Sequence, residues 1–304
     1  MKTKIIFVVL LFLSFGTLNI QANTTSDYFD NCRKTGSSNY AEGNRIVKDN
    51  TSENLLRALK PYYTDTVTFI RTQAYYLTYR KGMEQQDDAQ PVVVRLAKGL
   101  YDTDSSLRGG IIGYLQAFPL SAFNEESKEL IAANLSNPNS PHYDELMLLA
   151  GFVGTGSHEL LRLSTNTDLS VRQKWNVSLA LARLGSEDAL QYCVEKVKKA
   201  SVSSELVAYL LPDLVYICQK AALDYCVELL YSDEKLCRTA NPNLSESILC
   251  AYPVIELIAP AIVNFPIPVD PRIGIETDNY EKMLQTVRQW FKEHPDYKIK
   301  KDSF

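Results

Sequence analysis

An internal repeat constrains the fold of this chain more than any other feature of its sequence. The seven residues 189–195 return almost unchanged at 222–228, 33 positions later. Two further similar segments, 104–108 and 168–172, lie 64 positions apart, which is about two such periods. A period of roughly 20 to 50 residues is typical of arrays in which each unit buries its apolar face only against its neighbours.

The periodicity within these units is helical. One helix face is marked by residues at helical spacing, Val67, Ile70, Ala74 and Leu77. Gly82 predicts the end of that helix, and a second helix is predicted over 92–100. No segment alternates apolar and polar residues as a half-buried strand does. The helix pairs are predicted at 65–101, 104–136, 140–165, 168–200 and 203–232. We therefore predict an all-α fold, a right-handed α–α superhelix of about five or six helix pairs.

The unit that begins at residue 168 resembles a known family. Asp168, Val171 and Arg172 precede the segment Leu-Ala-Leu-Ala-Arg-Leu-Gly at 179–185, and Ala189-Leu190 follows. This stretch, best matched over 168–190, resembles the HEAT repeat, in particular the variety first noted in phycobilisome lyases. The resemblance implies stacked helix pairs whose second helices line a concave surface. Some of those lyases attach or isomerise bilins, but a shared scaffold does not carry an activity with it.

Elementary helix chemistry agrees with this repeat and also marks where the next one departs from it. Asp168 is predicted to cap the first helix of its unit, and Gly185 to end that helix in the left-handed conformation. The position equivalent to Gly185 in the next unit is Cys218. Pro212 interrupts what should be the first helix there, which predicts a kink or a shortened helix.

The two ends of the chain differ from the repeats. Lys2, Lys4, the apolar run 5–15 and a polar stretch ending at Ala22 form the pattern of a secretory signal peptide at 1–22. The run is shorter than the roughly 20 residues that span a bilayer, so we expect an exported product, periplasmic or secreted, without a transmembrane segment. An uncleaved anchor is the alternative.

Between these ends the boundaries follow composition. Residues 23–50 are polar and small, which predicts a flexible leader. The HEAT-like repeats are predicted over 51–244, and an irregular C-terminal capping unit over 245–304. That unit ends in an amphipathic helix from Tyr280 to His294.

Five of the six cysteines lie between 193 and 250. They contain no CxxC pair and no histidine is near, so no metal site is predicted. Cys193 and Cys226 occupy equivalent positions of neighbouring units, about 8 to 10 Å apart, which exceeds the limit of about 7 Å between the Cα atoms of a disulfide. We predict buried thiols there, an unpaired Cys32, and a disulfide between Cys237 and Cys250 across the intervening loop.

Few residues point to catalysis. A net charge of −4 opposes nucleic-acid binding. The three histidines, at 142, 158 and 294, are too scattered for a triad or a metal cluster, and no cofactor is predicted. The glycine-containing segment 151–156 follows a helix and lacks the Lys-Ser/Thr ending of a phosphate loop, so it is interpreted as a turn between helices.

The repeated second helices supply the candidate binding residues. Tyr192 and Glu195, and their equivalents Tyr225 and Glu228, are predicted to project from the face opposite the apolar one. Tyrosines combine broad contact area with a polar tip, which suits recognition. They could also contact only each other, or record a duplication.

The sequence therefore predicts an exported, non-catalytic repeat protein that binds a protein or peptide through its concave face. Two alternatives remain. One is an enzyme with a composite pocket where tyrosines, cysteines and the proline-rich segment 265–271 converge in the C-terminal part. The other is an immunity or inhibitor protein for a secreted partner. The oligomeric state is open.

Overall fold

The computed structural model describes residues 24–138, 140–239, 246–270, 272–302 and 304. They divide into a first compact unit that ends at His142 and a second that begins at Tyr143. Nearly all regular structure in these ranges is helical, so the prediction of an all-α fold is confirmed. None of the helices described is long and apolar enough to cross a bilayer. The predicted signal peptide, 1–22, lies outside the described residues.

The helices of the first unit follow one another with short connections. They are α1 (24–35), α2 (Tyr40–Asp49), α3 (Ser52–Leu59), α4 (Thr68–Glu84), α5 (Gln90–Gly99), α6 (Ser105–Gln116) and α7 (Glu125–Asn134). α4 packs on α5 and α6, and α5 packs on α7. The bounds of α4 and α5 fall within the first predicted unit, and those of α6 and α7 fall within the second.

The flexible leader predicted over residues 23–50 is wrong for the part that the structure describes. Residues 24–35 and 40–49 are the helices α1 and α2. Tyr28, Phe29 and Cys32 are buried, and the Phe29 ring stacks on Tyr62 with 3.8 Å between ring centroids. The segment has few aliphatic residues, but two aromatic rings and a thiol at helical spacing supply a buried stripe instead.

The prediction that Gly82 ends its helix is wrong. α4 continues to Glu84, and a Cβ atom at Gly82 would lie 2.7 Å from the side chains of Phe118 and Val92. Such a separation is below van der Waals contact, so the glycine is required by close packing rather than by helix termination.

The second unit contains α8 (Tyr143–Val153), α9 (Ser157–Ser164), α10 (Val171–Arg183), α11 (Glu187–Lys198), α12 (Leu211–Ile217), α13 (Lys220–Leu229), α14 (Ala251–Ile258) and α15 (Tyr280–Glu293). Strands β1 (Cys237–Arg238) and β2 (Ser247–Ile248) form an antiparallel pair. α10 packs on both α8 and α12, and α11 packs on α13. α9 packs on α10, and it is not among the principal partners of α11.

The turn predicted at 151–156 is confirmed between α8 and α9. α8 includes the first three residues of this segment, and Gly154 and Gly156 have φ values of 76° and 71°. Glycine adopts this left-handed region without steric cost, which explains its use where the chain reverses.

The sequence predicted the C-terminal end of α10 correctly, but it predicted the wrong N-cap residue. Ser170, not Asp168, caps the helix: its side chain accepts a hydrogen bond from the Gln173 amide at 3.1 Å, and the Gln173 side chain accepts one from the Ser170 amide at 3.0 Å. This reciprocal capping box satisfies two amides that the helix leaves unpaired. At the other end Gly185 has the expected left-handed φ, 96°, and its equivalent Cys218 also does, at 57°.

The C-terminal part packs on the last helix pair. α14 lies against α12 and α13, and α15 lies against α14. The predicted C-terminal helix is confirmed as α15, which buries Leu284, Val287 and Phe291. The chain then returns past the 3-10 turn that follows α14, where the Lys300 amide donates to the Ala261 carbonyl at 2.8 Å.

Candidate ligand-binding cleft

The structure separates the four predicted site residues. On α11, Tyr192 is 49% exposed, with its ring centroid 6.3 Å from that of Trp175. The Lys196 ammonium donates to the Tyr192 hydroxyl at 3.2 Å. Glu195, on the same helix, is exposed and accepts a hydrogen bond from the Gln191 amide nitrogen at 2.8 Å.

On α13, the prediction that Tyr225 projects outward is wrong, because only 8% of it is exposed. The Lys198 ammonium lies 5.1 Å from the centroid of its ring, and donates to the exposed carboxylate of Glu228 at 3.2 Å. Burial raises the pKa of Tyr225. The two repeated tyrosines therefore do not form one exposed surface, and the structure directs attention to another site.

A cleft of about 680 Å³ lies at the C-terminal end of the second unit. Three elements supply its walls: the helix that leads into α12, the β1–β2 pair, and α14 with the first residue of α15. Its lining residues are Ser204, Val207, Ala208, Pro212, Cys237, Arg238, Thr239, Glu246, Ile248, Tyr252, Pro253, Glu256, Leu257 and Tyr280.

A π-helical turn shapes the first wall. Residues 204 and 205 are helical, Leu206–Leu210 form the π-turn, and α12 follows directly. The sequence predicted a kink or a shortened helix at Pro212. In the structure the helix accommodates the proline, which has no N–H, by widening into this π-turn. π-turns inside helices are frequent at functional sites because they displace side chains and free backbone groups.

The same turn removes the usual hydrogen-bond donors of the Val207 carbonyl. In an α-helix that carbonyl would accept from the Leu211 amide, and in a π-turn from residue 212. The Leu211 amide donates to the Leu206 carbonyl, and Pro212 has no N–H. The carbonyl of Val207, which is a lining residue of the cleft, therefore lacks both of the amide donors that regular helix geometry would give it.

The second wall, the β1–β2 pair, is attached to each of the other two walls. Cys237, in β1, forms a disulfide with Cys250 at the start of α14, the pairing that the loop argument favoured. The Arg238 amide donates to the Ser204 hydroxyl at 2.8 Å, which attaches β1 to the first wall. Two strands of two residues each gain little from their own pairing, so these links hold the wall in place.

Two tyrosines and a carboxylate form the third wall. The rings of Tyr252, on α14, and Tyr280, at the start of α15, are 5.2 Å apart between centroids. The Tyr280 hydroxyl donates to Glu256 at 3.3 Å. Partial burial and, second, the nearby Glu256 carboxylate raise the pKa of Tyr280. The phenol therefore stays protonated at neutral pH and orients the carboxylate.

The described lining of the cleft contains no histidine, and its cysteine, Cys237, is in the disulfide. Elsewhere, Cys193 and Cys226 are buried, and burial raises the pKa of each thiol to about 12, which suppresses the nucleophilic thiolate. Within the described ranges no three His, Cys, Asp or Glu side chains are grouped so that they could hold a metal ion.

Comparison with known proteins adds no relative. No family model matches the chain, and no curated protein or solved structure does so either. The resemblance to HEAT repeats accordingly rests on the residues of 168–190.

Sequence reasoning anticipated part of this cleft and missed the rest. A composite pocket with tyrosine and cysteine in the C-terminal part was one alternative, and Cys237, Tyr252 and Tyr280 do line the cleft, whereas residues 265–270 do not. The acidic and backbone groups at Glu246, Glu256 and Val207 were missed. The signals available were the proline inside a predicted helix and the cysteine pair that follows it.

Proposed function

We propose that this chain is an exported, HEAT-like superhelical repeat protein that binds a peptide segment of a protein partner and performs no reaction of its own. The observation that carries the proposal is the cleft, which combines apolar side chains from three elements with a few polar groups. Sites of 300 to 1,000 Å³ with this composition are, as a rough guide, those that bind ligands.

The openness of the cleft to solvent favours a peptide over an enclosed small molecule. Arg238, Glu246 and Glu256 are exposed at its edge, and Tyr280 is half-exposed. A peptide can place one or two side chains in such a cleft while the rest of its chain continues across the surface. Side-chain pockets beside an extended backbone are a recurring mode of peptide recognition.

The lining argues against the enzyme alternative. Hydrolytic or transfer chemistry needs a nucleophile activated by an adjacent base, or a metal with an open coordination position. Ser204 is a hydroxyl in the lining, but it accepts the Arg238 amide and serves the wall. Binding is thus the simplest use of the groups that line the cleft.

Site-specific photo-crosslinking tests this proposal. We would place benzoylphenylalanine at Ala208, an exposed lining residue, and at Leu161 on α9 as the exposed control position. Crosslinking would be carried out in the medium and envelope fractions of the cells that express the protein. We expect an adduct from position 208 that maps to a single segment of one partner.

The proposal also requires that a synthetic peptide with the sequence of that segment binds the mature chain and, when added in excess, prevents formation of the adduct. Tyr252→Ala, in the cleft wall, should abolish binding, while Tyr209→Ala, an exposed ring on the same helix as Ala208 that does not line the cleft, should leave it unchanged. Equal crosslinking from both positions, or equal binding by both variants, would show that the cleft is not the site.

A further inference from the structure

The charges of the cleft are unequal. Among the lining residues that the structure describes, Glu246 and Glu256 each contribute a carboxylate, and Arg238 contributes the one guanidinium. Arg238 also lies near Glu205, whose pKa is lowered by its own backbone N–H, by the Ser203 hydroxyl and, less strongly, by Arg238. In the part of the chain that the structure describes, no ion pair involves Glu246 or Glu256.

From this arrangement we propose that the cleft selects a peptide with a lysine or arginine side chain, which places its aliphatic stem in the cleft and its charged end at Glu256 and Glu246. The inference depends on the proposed function, since it names the class of peptide that the same cleft binds.

The apolar part of the lining fits the stem of such a side chain. Val207, Ile248 and Leu257 supply aliphatic surface from the three walls. Lysine and arginine bury their methylene groups along apolar surface while their charged ends remain near water or a counter-ion. The half-open form of the cleft allows both at once.

The polar part fits the charged end. The Tyr252 and Tyr280 rings lie together beside Glu256, and cations are attracted to the faces of such rings as well as to carboxylates. Carboxylate and ring faces both favour a ligand that carries positive charge, and the carboxylate also accepts the hydrogen bonds that such a ligand donates.

Other peptide side chains fit less well. An acidic residue would meet two carboxylates, and like charges brought together in a cleft oppose binding. A purely apolar residue would displace water from Glu256 without supplying a counter-charge, and desolvating an unpaired carboxylate is costly. The charge pattern therefore discriminates among peptides that the apolar walls alone would accept.

A displayed library of random linear decapeptides, selected on the mature chain, tests the inference. We expect lysine and arginine to be enriched at one position of the selected peptides. The best peptide and its counterpart with norleucine in place of that lysine or arginine would then be compared by fluorescence anisotropy. Removal of the charge should weaken binding on the order of tenfold, which corresponds to about 1.4 kcal/mol.

Matched variants locate the effect. The double variant Glu246→Gln/Glu256→Gln should lose most of the tenfold preference, because only the ring faces of Tyr252 and Tyr280 then remain to attract the charge. The control Glu129→Gln/Glu187→Gln removes the same charge from exposed positions of α7 and α11 and should keep the tenfold preference. Glu256→Lys should change the enriched residues from basic to acidic. Thermal unfolding checks that all variants are folded.

The outcomes separate the two proposals. Peptides that are selected without basic residues, or a charge preference that survives the cleft double variant, would overturn the inference and leave peptide binding intact. If the intact chain selects no peptide beyond those retained by Tyr252→Ala, the proposed function fails and the inference fails with it.

Discussion

The helices α11 and α13 contain nearly the same seven residues but expose them differently. Cys193 and Cys226, at equivalent positions, are both completely buried. Tyr192 and Tyr225, also equivalent, are 49% and 8% exposed. Similar local sequence therefore buries the same cysteine in both helices, while the exposure of the outer face depends on what lies beside it.

The neighbouring helix differs for the two tyrosines. The Tyr225 ring lies beside Lys198, which is in the last turn of the preceding second helix, α11. Tyr192 instead lies beside Trp175 of α10 and Lys196 of its own helix, and α9 is not among the principal helix partners of α11. Repeats of similar sequence thus differ in surface because their neighbours differ.

The largest expected effect compares the two tyrosines directly. Tyr225→Ala removes a buried ring and should lower the free energy of unfolding by about 3 kcal/mol. Tyr192→Ala removes a half-exposed ring and should cost less than about 1 kcal/mol. Urea unfolding of both variants, followed by far-UV circular dichroism, measures the difference. Equal losses would show that the burial of Tyr225 contributes nothing to stability.

The comparison also explains how far the sequence could lead. Helical period, repeat spacing and the burial of Cys193 and Cys226 depend on local patterns, and these were predictable. The buried Tyr225 ring lies beside a lysine 27 positions earlier, on a different helix. The register of one helix against another is set by packing between units, which a single repeat does not encode.

The same distinction applies to the cleft and to the N-terminal helices. Pro212 predicted an irregular helix but not a π-turn, because the missing N–H can be met by a kink or by a wider turn. α1 was missed because its buried surface comes from Tyr28 and Phe29, whose partner Tyr62 lies on another element. In each case the deciding contact is distant in sequence.

A second prediction concerns the buried faces of α11 and α13, where Cys193 and Cys226 are buried to the same extent. Burial raises the pKa of Cys193 and Cys226 to about 12, whereas an unfolded thiol titrates near roughly 8.5. The folded state therefore holds these protons more tightly. The resulting stability is fully present below about pH 8.5 and is lost as the pH rises towards 12, by about 1.4 kcal/mol per pH unit for each thiol.

Urea midpoints measured between pH 7.5 and 10 test this equality. Cys193→Ala and Cys226→Ala should each flatten the decline in stability, and by the same amount, since the slope that remains comes from other groups. A variant that leaves the slope unchanged would show that its thiol is accessible to solvent, and the equivalence of the two inner faces would be lost.

The smallest expected effect tests the explanation itself. The ion pair between Lys198 and Glu228 is exposed on both sides, so Lys198→Ala should change the free energy of unfolding by less than about 1 kcal/mol. It should nevertheless uncover the Tyr225 ring, because the lysine side chain lies over it. Nitration by tetranitromethane, quantified by peptide mapping, reports the exposure of each tyrosine.

In the intact protein Tyr192 should be nitrated and Tyr225 protected, and Lys198→Ala should make Tyr225 reactive without affecting Tyr192. Glu228→Gln is the matched control, since it breaks the ion pair but keeps the lysine side chain. If Tyr225 stays protected in Lys198→Ala, the last turn of α11 is not what covers it. The difference between the two repeats would then have to arise from the packing of α13 on α12 and α14, the other helices that contact it.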